Sequence, residues 1–407
     1  MSSPIPQPGH PTPPLTAGLV MLFAFCCGAI VGNVYYAQPI IEMIAPDIGL
    51  SSSEASLIVS LTQGGYALGL FFLVPLADLL ENRRLMIATL AISAISLLAA
   101  GLTQHATAFF VVSALIGFSS VSIQMLIPLA AHIAPDESRG RAVGTIMGGL
   151  LLGIMLARPL SSLVADYFGW RVVFLGAGVL MLFVMVIVEL NLPKRKPEQS
   201  VSYGQLLLSL GRLFRTEQVL RRRAFYQGLM FAAFSLFWTS VPLELAGKYH
   251  LSQSQIAIFA LIGAAGAIAA PIAGRLADAG LSHQASWIAM ILAVFSFMTV
   301  WVSPAYSLVA LAVTAILLDF AVQMNMVVGQ REVFALCAAG RARLNALYMT
   351  SIFIGGAAGS MGASWLYHHG GWTTIALVGS ALPLIALIAF CVHSSAKKTT
   401  ELETNNV

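Results

Sequence analysis

Charge is what this sequence has least of: Asp, Glu, Lys and Arg make up 9% of its 407 residues, where a soluble domain carries about a quarter. With 58% hydrophobic residues, that shortage excludes a water-soluble fold, since no interior of this size hides so much apolar surface. Cysteine is also scarce. Cys26, Cys27, Cys337 and Cys391 show no CxxC spacing, which argues against metal or redox chemistry. There is no Gly-Lys phosphate loop, no zinc-ligand spacing and no nucleophile motif, so an ATP-driven pump or a membrane enzyme has little support. No catalytic residue, metal or cofactor is therefore expected, and no nucleic-acid partner. The first fifteen residues lack Lys and Arg and contain six prolines; without a charged start they are not a secretory signal, and 1–15 reads as a disordered tail.

What is present is apolar and repetitive. A hydrocarbon core of ~30 Å takes about 20 mostly apolar residues per helix, and such stretches recur twelve times: 16–40, 55–77, 84–102, 106–131, 142–165, 171–190, 223–246, 254–276, 285–302, 306–330, 344–366 and 372–392. Helix is the expected state of each, because lipid leaves a backbone amide to be satisfied within its own segment. The formal charge of +4 is distributed by topology. With the amino terminus inside, 18 of the 21 Lys and Arg fall on the inner side, among them eight between Lys194 and Arg223. Only Arg171 and Lys248 fall outside, and Arg158 lies within a span. This bias predicts cytoplasmic termini in a cytoplasmic (inner) membrane.

Shifting the chain by about 200 residues brings its halves into register. Ala24, Phe25 and Gly28 meet Ala224, Phe225 and Gly228; Leu76, Ala77 and Asp78 meet Leu276, Ala277 and Asp278; Arg139 and Arg141 meet Arg341 and Arg343; Gly169 and Trp170 meet Gly371 and Trp372. The predicted organisation is an all-α membrane protein: a six-helix bundle over 16–190, a cytoplasmic linker over 191–222, a second six-helix bundle over 223–392, and a tail over 393–407. Six spans per half place both halves the same way up, the build of carriers that bind at the midplane and rock. Small residues recur every four positions in span 5 (Gly149, Gly153, Ala157, Ser161, Ala165) and span 11 (Ser351, Gly355, Gly359, Ala363), with shorter runs in spans 2 and 8. Such stripes serve static packing or a sliding interface. Their recurrence in spans 2, 5, 8 and 11 favours the interface.

Between spans 2 and 3, Leu76 to Arg84 reads Leu-Ala-Asp-Leu-Leu-Glu-Asn-Arg-Arg, and between spans 8 and 9 a second copy begins Gly274-Arg275-Leu276-Ala277-Asp278. These loops resemble the signature of the major facilitator superfamily, a Gly, an Asp four residues later and a basic pair. Val74 stands where the first copy would have its Gly, and the second copy lacks the basic pair. Pro135 to Gly144 looks like the loop these transporters carry before helix 5. The details look most like the bacterial drug and sugar efflux branch, of the arabinose efflux permease kind. Two antiporter marks differ: Ser113 replaces the Arg four residues before Gly117, and span 5 keeps Ala157-Arg158-Pro159 in place of Gly-Pro.

The resemblance implies a cytoplasmic gate at the signature loops, in which Asp78 and Asp278 latch to helix starts of the opposite half, where a carboxylate gains from the helix dipole. Arg83, Arg139, Arg141, Arg341 and Arg343 lie nearby, as gate partners or as topology anchors. It also implies a cavity lined by spans 1, 4, 7 and 10. There Asn33, Tyr36, Gln124, Ser235, Trp238 and Gln323 would meet substrate, though helix packing explains each uncharged residue equally. Arg158 and Asp319 are the charges deepest in the spans. A charge in lipid is costly and faces a cavity or a partner. Their depths differ by roughly 8 Å at 1.5 Å per residue. A buried carboxylate whose surroundings change can bind and release a proton; the alternative is that Asp319 binds a cationic substrate group while Arg158 secures span 5. Glu42 and Glu244 are expected to be solvated at the outer surface.

The function so implied is secondary active transport: proton-coupled export of a small amphiphilic drug-like or sugar-like compound by a monomer, with substrate, protons and the bilayer as partners. An uncoupled facilitator or an importer is the alternative. From another class, a nontransporting sensor would need a signalling domain that the short tails do not supply. A single cysteine placed at either terminus should resist an impermeant thiol reagent in intact cells and react after permeabilisation; reaction in intact cells would overturn the topology.

Overall fold

The computed structural model describes residues 16–135, 138–194, 202–302, 307–337 and 340–405, so the expected disordered tail and linker residues 195–201 lie outside the described residues. Among the described residues the regular structure is helical throughout. The first half comprises α1 (Ala17–Gly32), α2 (Ile41–Asp47), α3 (Leu57–Phe72), α4 (Asn82–Leu102), α5 (Ala106–Ser119), α6 (Ile123–Ile133), α7 (Arg139–Phe168) and α8 (Trp170–Asn191). After α9 (Tyr203–Thr216) the second half follows as α10 (Gln218–Gly247), α11 (Gln253–Gly263), α12 (Ala269–Asp278), α13 (Ser282–Val302), α14 (Ser307–Ala335), α15 (Arg341–Met361) and α16 (Ala363–Asn405), the last interrupted at Gly371, whose φ is +63°. Nine helical runs among the described residues are long and apolar enough to cross a membrane. The 16-residue α1 is apolar but shorter than a full crossing.

Several expected spans are broken where the sequence explains it. The first stops being α-helical after Gly32 and resumes through a 3-10 turn at Gln38–Ile40 containing Pro39, which has no N–H to donate. The second ends in a 3-10 turn opened by Pro75, at Val74–Asp78. The eighth is split between α11 and α12 by Ala264–Ile268, a stretch flanked and interrupted by Gly263 and Gly266. In the linker, α9 begins with a capping box in which Ser202 and Gln205 satisfy each other's backbone N–H.

The small-residue stripes pack within each half, which corrects the expectation that they form the interface between halves. A Cβ on Gly149 or Gly153 would run into the backbone of Ala24 or Gly28 on α1, and one on Gly355 or Gly359 into that of Gly228 or Ala232 on α10. Gly65 and Gly69 on α3 meet α5 in the same way, and Gly266 meets α14. The contact of Gly28 with Gly153 is repeated, in the duplicated register, by Gly228 with Gly355. The physical reason is reach: only glycine lets two helix backbones touch, and the backbones that touch are partners inside a bundle.

The halves meet instead through α3 on α15 and α7 on α11. At the end of the bundle away from α9, Ile41, Ala45, Ala55, Val59 and Leu243 form one buried cluster that crosses between the halves. Toward α9, α7 has no comparable packing on α12, and Gly140, Gly144 and Gly148 face open space. The crevice is thus sealed at one end and parted at the other between α7 and α12. Gly153→Val and Gly355→Val should each cost about 1–3 kcal/mol by overpacking and lower the thermal unfolding midpoint. Gly144→Val should not; equal loss in all three would show that the stripe is not what holds the helix pairs together.

Candidate substrate and coupling site between the halves

Trp238 lies at the centre of the site, 2% exposed on α10. Its indole Nε1–H donates to Asp319 Oδ1 of α14 at 2.8 Å. The break between α11 and α12 makes room for both: a Cβ on Gly263 would strike the Trp238 ring, and one on Gly266 would strike Asp319. From the other half, the Arg158 guanidinium of α7 sits over the same indole, 4.6 Å from its centroid, with Tyr35 at 5.0 Å and Phe234 at 5.3 Å. Desolvated cation–π contacts of this kind are worth ~2 kcal/mol. The two deepest charges therefore meet through Trp238 across the boundary between the halves, and make no direct ion pair among the described residues. Arg158 Nε donates to Gln38 Oε1 at 2.8 Å, and Gln38 Nε2 donates to Thr239 Oγ1 of the opposite half at 3.2 Å. One Arg158 nitrogen, Nη2, is buried without a partner.

Two further polar links cross the boundary. Ser235 Oγ donates to Gln63 Oε1 on α3 at 3.0 Å, and the missing Cβ of Gly356 gives the Gln63 amide its space. Nearer α9, an amide ladder runs from Gln330 Nε2 to Asn345 Oδ1 at 2.9 Å, then from Asn345 Nδ2 to Gln124 Oε1 at 3.3 Å, with Tyr66 OH 3.5 Å beyond. An aromatic wall joins ladder to site: Tyr66, Phe353, Phe231, Phe234 and Trp238 follow one another at centroid distances of 4.5, 5.2, 5.1 and 6.5 Å.

Of the expected cavity residues, Gln124, Ser235 and Trp238 are thus brought to the boundary between halves. Asn33 is turned to its own half, donating to Ser93 Oγ at 3.3 Å and Met181 Sδ at 3.2 Å. Tyr36 is half-buried with its phenol against Gly32. Gln323 is half-buried and makes no hydrogen bond to the described residues. Gln38, Gln63, Thr239 and Asn345 escaped the sequence reading. The first two carried a signal, a lone amide side chain within an apolar span.

The expected gate residues surround the α9 end. Asp278 pairs with Arg331 of its own half. Arg83 bonds the Glu189 carboxylate at 3.4 Å and the carbonyls of Glu189 and Leu192 at 2.9 and 3.3 Å. Arg139 donates to Ala131 O at 2.8 Å, Arg341 to Phe334 O at 3.4 Å and Arg343 to Ser209 Oγ on α9 at 3.3 Å. Arg141 is exposed and Asp78 half-buried. A pair not anticipated lies on this side: buried Arg223 closes on half-buried Glu332 and donates to Ser286 Oγ at 2.6 Å, all within the second half.

The sealed end carries its own latches. Ser56 and Ser364 exchange backbone-to-hydroxyl bonds at 3.1 and 3.2 Å, and Ser60 Oγ donates to Ala357 O at 2.7 Å. Asp166, at the end of α7, accepts the Ser254 backbone N–H at 3.1 Å and the Ser254 hydroxyl, so a carboxylate of one half caps a helix start of the other. Glu244, expected at the solvated surface, is 4% exposed, because Tyr367 OH donates to it at 3.0 Å and Lys248 pairs with it at 3.2 Å.

Two glycine-locked helical halves around a shared polar and aromatic crevice define a membrane transport protein, not an enzyme. The Major Facilitator Superfamily pattern matches residues 20–238 and 224–405, and the chain belongs to that family. It is 40% identical over 385 residues to the uncharacterized transporter YgaY of Escherichia coli O157:H7, covering 94% of this chain and 97% of that one. It is 31% identical to a Streptomyces coelicolor protein named "Probable transporter SCO4007", over 91% and 86% of the two chains. In fold it is similar to the nucleoside transporter NupG, with a TM-score of 0.73 and 14% identity over 92% of this chain and 98% of that one. A bacterial homolog of the human lysosomal transporter Spinster, in an inward-facing and occupied conformation, gives 0.74 and 13% over 96% and 98%.

A cap exchanged between exposed groups is worth about 0.3–1 kcal/mol at a helix start. Asp166→Ala should therefore raise the labelling of a cysteine placed at Val59, beneath the sealed end, by roughly twofold to fivefold. Unchanged labelling would mean that Asp166 does not help hold that end shut.

Proposed function

We propose that this chain is a secondary active transporter, a proton-coupled exporter of a small amphiphilic drug-like or sugar-like compound. It works as a monomer with twelve spans in a cytoplasmic membrane, the two halves over 16–190 and 223–392 and the linker and both termini inside. In that orientation the parted end faces the cytoplasm and loads substrate there. The observation that carries the reading is the bridge of Arg158, Trp238 and Asp319 (cation over indole at 4.6 Å, indole to carboxylate at 2.8 Å) between the halves. Trp238 and Asp319 travel together in the second half, while Arg158 belongs to the first. Rocking separates the guanidinium from the indole and leaves the carboxylate without its neighbouring positive charge, a state that a proton compensates. Return of Arg158 restores the balance and expels the proton. The aromatic wall and the boundary amides suit a compound with an apolar body and a few hydrogen-bonding groups.

When the halves close toward the cytoplasm, Asp78 and Asp278 take opposite-half helix starts as partners, with Arg83, Arg139, Arg141, Arg341 and Arg343 around them. The decisive test is transport in proteoliposomes with and without a pH gradient, using substrates found by a thermal-shift screen. Asp319→Asn should abolish gradient-driven accumulation and spare substrate exchange. Loss of substrate binding itself would make Asp319 a ligand for a cationic substrate group instead, and normal gradient-driven transport would remove it from the mechanism.

A further inference from the structure

Outside the crevice, α15 and α16 both pack on α10 but scarcely on each other, which leaves a groove on the lipid-facing side of the second half. Its volume is about 650 Å³, within the range of ordinary ligand sites, and its lining is almost wholly apolar: Ala224, Phe225 and Gly228 of α10, Ile354 and Ala358 of α15, and Leu382 of α16. The α10 lining runs from Arg221 to Leu236, a rise of ~22 Å along the helix, longer than the ~15 Å depth of one leaflet's hydrocarbon.

The α9 end of the groove is basic. Arg212 and Arg215 on α9 and Arg221 and Arg222 on α10 surround a single acid, Glu217. Arg223, next in sequence, turns inward and is consumed by Glu332 and Ser286. Arg221 lines the groove and is held there: its Nη1 donates to the Phe214 carbonyl at 3.1 Å and to that of Arg215, the last turn of α9. Its other N–H groups make no hydrogen bond to the described residues, and Arg222 forms no ion pair among them. A long apolar channel with the Arg221 guanidinium held at its α9 end, and Arg222 next to it in sequence, is complementary to one chemistry, an anionic phosphate joined to an acyl chain.

We propose that this groove binds an anionic glycerophospholipid of the leaflet on the α9 side, one acyl chain lying along α10 and the phosphate on Arg221 and Arg222. The bound chain lies behind the contacts of Gly228 with Gly355 and of Ala232 with Gly359, and so supports the helix pair from its lipid side.

Native mass spectrometry of the delipidated full-length protein, titrated with phosphatidylglycerol and with phosphatidylcholine of the same acyl chains, tests this. Phosphatidylglycerol should bind roughly tenfold or more tightly than phosphatidylcholine, and Arg221→Gln with Arg222→Gln should bring it to the phosphatidylcholine level. Ala358→Phe, at an exposed position of the groove wall, should weaken both lipids by filling the channel. Equal binding of the two lipids by the unaltered protein, or unchanged phosphatidylglycerol binding by the arginine variant, would overturn the proposal. So would Ala358→Phe leaving lipid binding intact while dissociating a dimer, which would make the groove a seat for a second copy.

Discussion

Where Gly28 of α1 touches Gly153 of α7, and Gly228 of α10 touches Gly355 of α15, two helix backbones meet with no side chain between them. A contact of that kind has no slack, since any added atom on either side would overlap a main chain. It ties α1 to α7 in one half and α10 to α15 in the other. The boundary between the halves is built from different material. Serine hydroxyls, the amides of Gln63, Gln124 and Asn345 and the ring of Tyr66 span it, and side chains can change rotamer or partner while a backbone contact cannot. Rigid bundles with an adaptable seam are what rocking requires.

The same division separates two sets of charges. Arg223 and Glu332 belong to one half and close directly on each other with Ser286 in support, so their mutual compensation is unaffected by any movement between the halves. Arg158 and Asp319 are on opposite sides of the seam and make no direct ion pair among the described residues; the face and the N–H of one indole lie between them. Their compensation depends on how the halves are disposed. On the proton coupling proposed above, that dependence is what links a change of shape to a change of charge state.

The ends of the crevice obey the same economy of groups. At the sealed end, Asp166 lends its carboxylate to the start of α11, while the other contact between the halves joins Ser56, just before α3, to Ser364, at the start of α16, without charge. At the α9 end, Asp278, Arg83 and Arg341 hold partners within their own halves, which leaves the crevice parted between α7 and α12.

Much of this was legible in the sequence. Apolar runs, the Lys and Arg bias and the register of Gly28 with Gly228 or Asp78 with Asp278 depend only on composition and order, and they define a duplicated helical membrane protein of the major facilitator kind. Arg158 and Asp319 were conspicuous because charge in an apolar span is costly wherever it points. Direction was not legible. A helix wheel does not say whether Gly153 faces its own bundle or the other, nor that Asn33 turns to Ser93 and Met181. Nor does it say that Glu244 is enclosed by Tyr367 and Lys248. The meeting of Arg158 with Asp319 through Trp238 also depended on lateral distances between helices of different halves. Sequence by itself determined that the chain is a duplicated helical membrane protein and which charges fall within apolar runs and need compensation; only the tertiary structure decided which partner supplies it, because that choice is made by the packing of helices far apart in the chain.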